Sequence, residues 1–162
     1  MDEPAGLTEW AEAQVPEAIR AAPIWRLPAY RYALYLADQL DDAAPRLRRV
    51  CTRRTVDQLF DAAHSISSNI AEGYSRTGGP DRAKFFEYAN SSARETRDWL
   101  FKGRKAFDTA TAEAYIELVT PIMKILTAVI PRERETPNTR ARLPKREPRT
   151  DGIEDQSSHD EA

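Results

Sequence analysis

The residues of this sequence that could do chemistry are mainly cations gathered in short stretches. Five arginines fall within nine positions with no acid among them: Arg46, Arg48, Arg49, Arg53 and Arg54. A guanidinium group stays charged and presents several donors in one plane, which suits it to phosphate oxygens. The cluster therefore predicts a site for nucleic acid or another polyanion. The alternative is a solvated helix start whose arginines pair with Asp38, Asp41 and Asp42.

A second group of cations lies in the segment 132–149, which holds seven basic residues against three acids. Its candidate phosphate ligands are Arg140, Arg142, Lys145 and Arg146. The following segment, 150–162, has five acids and no lysine or arginine. Residues 132–162 contain three prolines and little apolar material, so we predict a disordered basic-then-acidic tail. A smaller basic group, Lys102, Arg104 and Lys105, is predicted to end the third helix, where it would complement the helix dipole.

Residue types for catalysis are scarce. His64 is the one histidine of the body, and its neighbour at i−3 is Asp61, whereas a helical di-metal site needs Glu-x-x-His pairs on facing helices. Ser65, Ser67 and Ser68 follow His64 on a predicted helix rather than on the strained turn that exposes a nucleophile. The segment 78–80, Gly-Gly-Pro, matches neither common phosphate-loop pattern. We predict no catalytic residue, no metal and no cofactor, and therefore no enzyme.

Length and charge narrow the class of protein. The chain has 162 residues, a net charge of −2 and one cysteine, so an intramolecular disulfide is excluded. Residues 1–6 lack the basic start of a secretory signal, and no uninterrupted apolar run approaches the roughly 20 residues that span a bilayer. We expect a cytoplasmic protein. Residues 1–131 carry a net charge of −1, so binding of nucleic acid must depend on local clusters rather than on total charge.

Apolar residues recur every three to four positions and predict four helices in residues 23–131. The predicted helices run from about Pro28 to Asp41, Arg46 to Ser75, Pro80 to Phe107, and Asp108 or Thr109 to Ile130. Pro45 is placed in the first turn of the second helix, and Pro131 is predicted to end the fourth. Short connections favour antiparallel neighbours, so the predicted fold is an all-α, up-down-up-down four-helix bundle with a disordered C-terminal tail.

The predicted helices carry more apolar surface than one bundle needs. The third has a second stripe through Phe85, Tyr88 and Trp99, and the fourth is apolar on most sides, with Pro121 expected to kink it. Surplus apolar surface is typical of an interface, so we predict contact between copies of the chain. The alternative is that the N-terminal arm, residues 1–22, covers it. That arm has one short apolar pattern, which Thr8 could cap and Pro16 would break.

Residues 65–76 read Ser-Ile-Ser-Ser-Asn-Ile-Ala-Glu-Gly-Tyr-Ser-Arg. This stretch resembles the signature of the "four helix bundle protein" family, also known as proteins encoded by 23S rRNA intervening sequences. Phe85-Phe86, Ala89, Ser92 and Glu95 resemble its third-helix pattern, and Tyr30 and Ala33 its first. The resemblance covers about residues 24–130. The motif residues are Asn69, Glu72, Gly73, Arg76 and Glu95. For them we expect a structural polar network that fixes helix register or contacts between copies, with Glu72 or Glu95 pairing with Arg76, Arg94 or Arg97.

The resemblance implies a homopentameric barrel. It also implies kinship with the accessory variability determinant proteins of diversity-generating retroelements, which bind nucleic acid and a reverse transcriptase. Relatives commonly have a basic residue where this chain has Asp61 or Asn90, so the Arg46–Arg54 cluster and the tail become the best candidates for a basic surface. The predicted function is a non-catalytic oligomeric accessory protein that binds RNA or DNA, with a reverse transcriptase or ribosomal RNA as partner. The alternative is a protein-interaction scaffold with no role in nucleic-acid binding.

Overall fold

The computed structural model describes residues 3–137, and within that range the chain is all-helical, with no strand. The all-α prediction is confirmed for these residues, whereas the predicted tail from 138 onward lies outside them. Two short helices come first, α1 (Leu7–Gln14) and α2 (Glu17–Arg20), followed by a 3-10 turn at Pro23–Arg26. The four long helices are α3 (Pro28–Val50), α4 (Arg53–Ser75), α5 (Gly79–Gly103) and α6 (Thr109–Glu135), with a second 3-10 turn at Arg104–Ala106.

The four long helices share one hydrophobic core. Helix α3 packs against α4 and α6, and α5 packs against the same two helices. Their fully buried side chains recur at helical spacing and include Leu36, Leu40, Leu59, Ile66, Ile70, Ile122 and Leu126. Burial of such an apolar side chain contributes about 1.5–3 kcal/mol, so this stripe is what holds the helices in place.

The boundary between the first two long helices differs from the prediction. Helix α3 continues through Pro45 to Val50, so the expectation that Pro45 opens the second helix is wrong. Proline removes one backbone hydrogen bond, but Ala43, Ala44 and Leu47 on the same turns are buried, and their burial favours continuing the helix. The chain turns two residues after Val50 instead, where the Thr52 hydroxyl caps α4 by accepting from the backbone N–H of Thr55 at 3.2 Å.

The other predicted ends also shift. Helix α5 ends at Gly103 rather than Phe107, and α1 is preceded by Gly6 in the left-handed region instead of being capped by Thr8. Pro16 does separate α1 from α2, as predicted. Asp108 caps α6, with its Oδ1 accepting from the Thr111 N–H at 2.9 Å.

Helix α6 does not stop at Pro131, so that prediction is wrong, and residues 132–135 belong to a helix rather than to the tail. Two ion pairs hold this last turn against α5. Arg82 Nη1 lies 2.7 Å from Glu133 Oε2, and Arg134 pairs with Glu87. These contacts compensate for the backbone hydrogen bond that Pro131 removes.

The N-terminal arm packs on α3. Trp10 donates its indole N–H to Asp38 at 2.7 Å, Tyr35 donates its hydroxyl to the Ala5 carbonyl at 3.1 Å, and the arm's α1 contacts α3. The alternative that the arm covers the second stripe of the third helix is therefore wrong, because Tyr88 on that stripe remains 46% exposed.

Helix α6 is long and apolar enough, by length and composition alone, to cross a membrane. Its best 18-residue window has a mean hydropathy of 1.5, and 22% of that window is buried. The expectation that no segment meets this criterion is therefore corrected. In the structure α6 packs against α3 and α5 and is joined to α5 by ion pairs, which is the environment of a core helix with surplus apolar surface.

Candidate nucleic-acid interface

Two connections between the long helices meet at one end of the molecule. The Cys51 thiol, in the turn between α3 and α4, lies 3.8 Å from the carbonyl oxygen of Gly103 at the end of α5. Arg46 lies over the ring of Phe107, in the connection between α5 and α6, at 5.8 Å from its centre. The predicted arginine cluster and the smaller basic group thus lie at the same end of the molecule, here named the basic end. It comprises Arg46, Arg48, Arg49, Arg53, Arg54, Lys102, Arg104 and Lys105, all exposed.

Most cations of the basic end are not neutralised by a neighbour. Arg53 pairs with Asp57 at 3.4 Å, and Lys102 pairs with Asp98, each one helical turn away. Within the described residues 3–137, the other six form no ion pair. Exposed pairs of this kind contribute at most about 1 kcal/mol, so even Arg53 and Lys102 can exchange their partner for an incoming anion.

The arginine cluster is split between two helices, which corrects the prediction that it opens the second one. Arg46, Arg48 and Arg49 lie in the last turns of α3, where the negative end of the helix dipole favours cations. Only Arg53 and Arg54 lie at a helix N-terminus, where the dipole mildly disfavours them. Of the five arginines, therefore, only these two occupy a position where a bound anion would offset an unfavourable helix dipole.

Aromatic rings stand among these cations. The Arg104 guanidinium lies 4.0 Å from the centre of the Phe101 ring, and Lys102 Nζ lies 4.0 Å from that of Trp99. Phe101 is 55% exposed and Val50, at the end of α3, is 56% exposed. The basic end therefore offers apolar as well as charged contacts.

Two groups near the basic end have shifted pKa values. The backbone N–H and hydroxyl of Thr111 donate to Asp108 and, with nearby Arg46, lower the pKa of that carboxyl below its usual value. Burial raises the pKa of the Cys51 thiol. The thiol therefore stays neutral near pH 7, which argues against a nucleophilic role.

Gly73, the glycine of the motif, lies where α4 and α5 approach each other closely. A Cβ at Gly73 would lie 2.9 Å from two ring carbons of Phe86 and 3.0 Å from the Cβ of Phe85. Asn69, one turn earlier, is half-buried and donates its amide to the Ser65 carbonyl at 2.8 Å. This part of the motif sets the spacing between two core helices.

The charged motif residues lie on the outer surface of α4 and α5. Glu72 and Glu95 are both exposed. Glu72 pairs with Arg76, whose guanidinium lies 4.7 Å from the centre of the Phe85 ring. Glu95 accepts from the Trp99 indole at 3.3 Å rather than pairing with an arginine. Of these contacts, the one between Arg76 and Phe85 joins the end of α4 to α5. Tyr74 on α4 and Tyr88 on α5 are also exposed, and the Tyr88 ring lies 5.9 Å from that of Phe85.

The remaining candidates for chemistry make ordinary structural contacts. His64 Nε2 lies 3.1 Å from Asp41 Oδ1 on α3. The hydroxyls of Ser67 and Ser68 donate to the carbonyl of His64, not to a base. Among the described residues, no group of three or more potential metal ligands is found.

Sequence reasoning treated the two basic groups separately and gave no role to Phe101. The missing signal was topological, because the predicted up-down order would place the first and third connections at the same end. Phe101 belongs to neither apolar stripe of its helix, and that isolation already suggested exposure. Arg140, Arg142, Lys145 and Arg146 lie outside the described residues.

The match to known proteins agrees with the position of the motif. No curated protein matches the chain. The family described as 23S rRNA-intervening sequence protein matches residues 26–128, which include all of α3, α4 and α5 and most of α6. The chain therefore belongs to the 23S rRNA-intervening sequence protein family.

Proposed function

We propose that this protein is a non-catalytic, oligomeric accessory protein that binds RNA or DNA at its basic end. The observation that carries the proposal is that eight exposed cations, in and beside two helix connections, lie at one end of the molecule, six of them without an ion pair in residues 3–137. Phosphate contacts supply most of the affinity of sequence-independent binding. By analogy with the family, a reverse transcriptase or ribosomal RNA is the proposed partner.

We also infer that the four long helices form an antiparallel up-down-up-down bundle. Support comes from the cyclic packing of α3, α4, α5 and α6 and from connections as short as Cys51-Thr52. Cys51 meets the end of α5, and Arg82 near the start of α5 meets the end of α6. In this arrangement the basic end is one end of the bundle, and Arg26, Lys84 and Arg132 lie at the opposite end.

Neutralising the basic end should weaken binding while leaving the fold intact. We expect Arg48→Gln, Arg49→Gln and Arg54→Gln, combined, to lower the affinity for labelled RNA and DNA at low salt by at least about tenfold, because three phosphate contacts are lost. The matched control changes the net charge equally at the opposite end: Arg26→Gln, Lys84→Gln and Arg132→Gln. Fluorescence anisotropy measures the affinities of the two triple variants for the labelled nucleic acids. Equal losses in the two triple variants would reject the basic end as the binding site.

We propose that copies of the chain assemble through the outer surface of α4 and α5, with a pentamer as the state that the family resemblance implies. Tyr74 on α4 and Tyr88 on α5 are 43% and 46% exposed, and the Tyr88 ring lies 5.9 Å from that of Phe85, over which Arg76 lies. Surplus apolar surface favours association.

Placing a charge on this surface should dissociate the assembly. We expect Tyr88→Glu to lower the mass seen in sedimentation, since a carboxylate would lose water on assembly without gaining a partner. Ile19→Glu, at a similarly exposed apolar position on the arm, is the control and should leave the mass unchanged. If the wild-type protein sediments as a single chain, the proposed assembly is rejected.

The second candidate function is a protein-interaction scaffold without a nucleic-acid role. The observation that favours it is the same aromatic surface of α4 and α5, which carries the family motif and lies away from the basic end. It would replace the first proposal if the wild-type protein bound no RNA or DNA at low salt and captured a stoichiometric protein partner in the presence of nuclease.

A further inference from the structure

A groove runs between α5 and α6 and opens into the basic end. Three neighbouring hollows of about 420, 300 and 530 Å³ lie along it, since Arg97 borders the first two and Phe101 and Ile116 border the last two. On α6 the groove extends from Ala128 to Thr109, which is roughly 29 Å at 1.5 Å per residue.

The groove has a basic rim on the α5 side and a rim on α6 where Lys124 is balanced by Glu113, and its surface is otherwise largely apolar. Its cations are Arg94, Arg97, Arg104, Lys105 and Lys124, and its carboxylates are Asp98 and Glu113. Asp98 is already paired with Lys102. Ile116 and Met123 lie between the rims, and Phe101, 55% exposed, stands where the groove meets the basic end.

This chemistry fits a single nucleic-acid strand better than a duplex. A duplex presents phosphates and groove edges, and its bases stay stacked inside, so it would leave the Phe101 ring in water. A single strand places its backbone beside cations and its unpaired bases on aromatic and apolar surfaces. The Arg104 guanidinium lies 4.0 Å from the centre of the Phe101 ring, so it covers one face of the ring and places a positive charge beside a base stacked on the other.

We infer that the α5–α6 groove binds single-stranded RNA or DNA, with a base stacked on Phe101, and that the protein prefers single strands to duplexes. The inference rests on the proposed nucleic-acid role and specifies its substrate class. In this proposal Phe101 selects single strands, whereas the basic end attracts the phosphates of single strands and duplexes alike.

The test compares a labelled single strand of about 20 nucleotides with the duplex of the same sequence, using the full-length chain. The wild-type protein should bind the single strand more tightly. Phe101→Ala should weaken single-strand binding by roughly fivefold or more, the effect of losing one stacked base, and should change duplex binding by less than about twofold. Phe101→Tyr should restore single-strand binding, and Ile19→Ala, which removes an exposed apolar side chain on the arm, should change neither.

The outcomes separate this inference from the proposed function. If the basic-end triple variant weakens both forms while Phe101→Ala weakens neither, the proposed function stands and the groove assignment is rejected. If Phe101→Ala lowers the sedimenting mass without changing strand preference, the groove is a contact between copies and the inference is also rejected. The inferred preference for single strands is overturned directly if the wild-type protein binds the single strand and the duplex equally well, or binds neither.

Discussion

Gly73→Ala should lower the free energy of unfolding by about 1–3 kcal/mol, the usual range for forcing an extra carbon into a packed core. The new Cβ would lie 2.9 Å from ring carbons of Phe86, which is itself buried, and 3.0 Å from the Cβ of Phe85. Neither contact is with the free end of a flexible side chain. Helices α4 and α5 would have to separate, and the contacts along their shared length would weaken together.

Gly103→Ala is the matched control for this prediction. Gly103 is also buried and helical, but a Cβ there would lie 3.6 Å from the Cys51 sulfur and 3.6 Å from Leu47 Cδ2, which is ordinary contact. We expect no loss of stability and a gain of up to about 1 kcal/mol from the less flexible unfolded chain. Chemical denaturation measures both variants. If both lose stability equally, the close approach at Gly73 is not the reason for that glycine.

Leu126→Ala should destabilise the protein by about 2–5 kcal/mol, because it leaves a cavity in the shared core. Leu126 is fully buried on α6, although that helix has the hydropathy of a membrane span. The decrease in the free energy of unfolding therefore shows whether α6 packs with α3 and α5 in solution.

Lys124→Ala provides the comparison on the same helix. Lys124 is exposed on α6, and its truncation should change stability by no more than about 0.5 kcal/mol. Unfolding monitored by circular dichroism gives both values. A Leu126→Ala variant as stable as Lys124→Ala would mean that α6 is not part of the folded core.

The helices were predictable from sequence because their apolar spacing is a local property that burial enforces. Their ends were less predictable, because proline has two opposed effects. It suits a first turn, which suggested a start at Pro45, yet it is tolerated inside a helix whose neighbouring residues are buried. The hydroxyl of Thr52, three residues before Thr55, was the available signal for the true start of α4.

The candidate site depended on contacts distant in the sequence. Arg48 and Arg104 are far apart along the chain, and it is the contacts of Cys51 with Gly103 and of Arg46 with Phe107 that show their turns at the same end. The motif was recognisable, but the reason for its glycine was not, because that reason is the ring of Phe86 on another helix. Exposure of Phe101 likewise depends on how α5 is rotated against α6.

The salt dependence of nucleic-acid binding tests the central claim most directly. For a single strand, the slope of log K against log salt concentration is about −0.7 per phosphate contact. The basic end predicts a steep slope for the wild-type protein that becomes shallower by roughly 2 when Arg48, Arg49 and Arg54 are changed to glutamine, since three contacts are lost. The control triple variant, at Arg26, Lys84 and Arg132, should keep the wild-type slope. A flat wild-type slope, or the same slope in both triple variants, would contradict phosphate binding at the basic end.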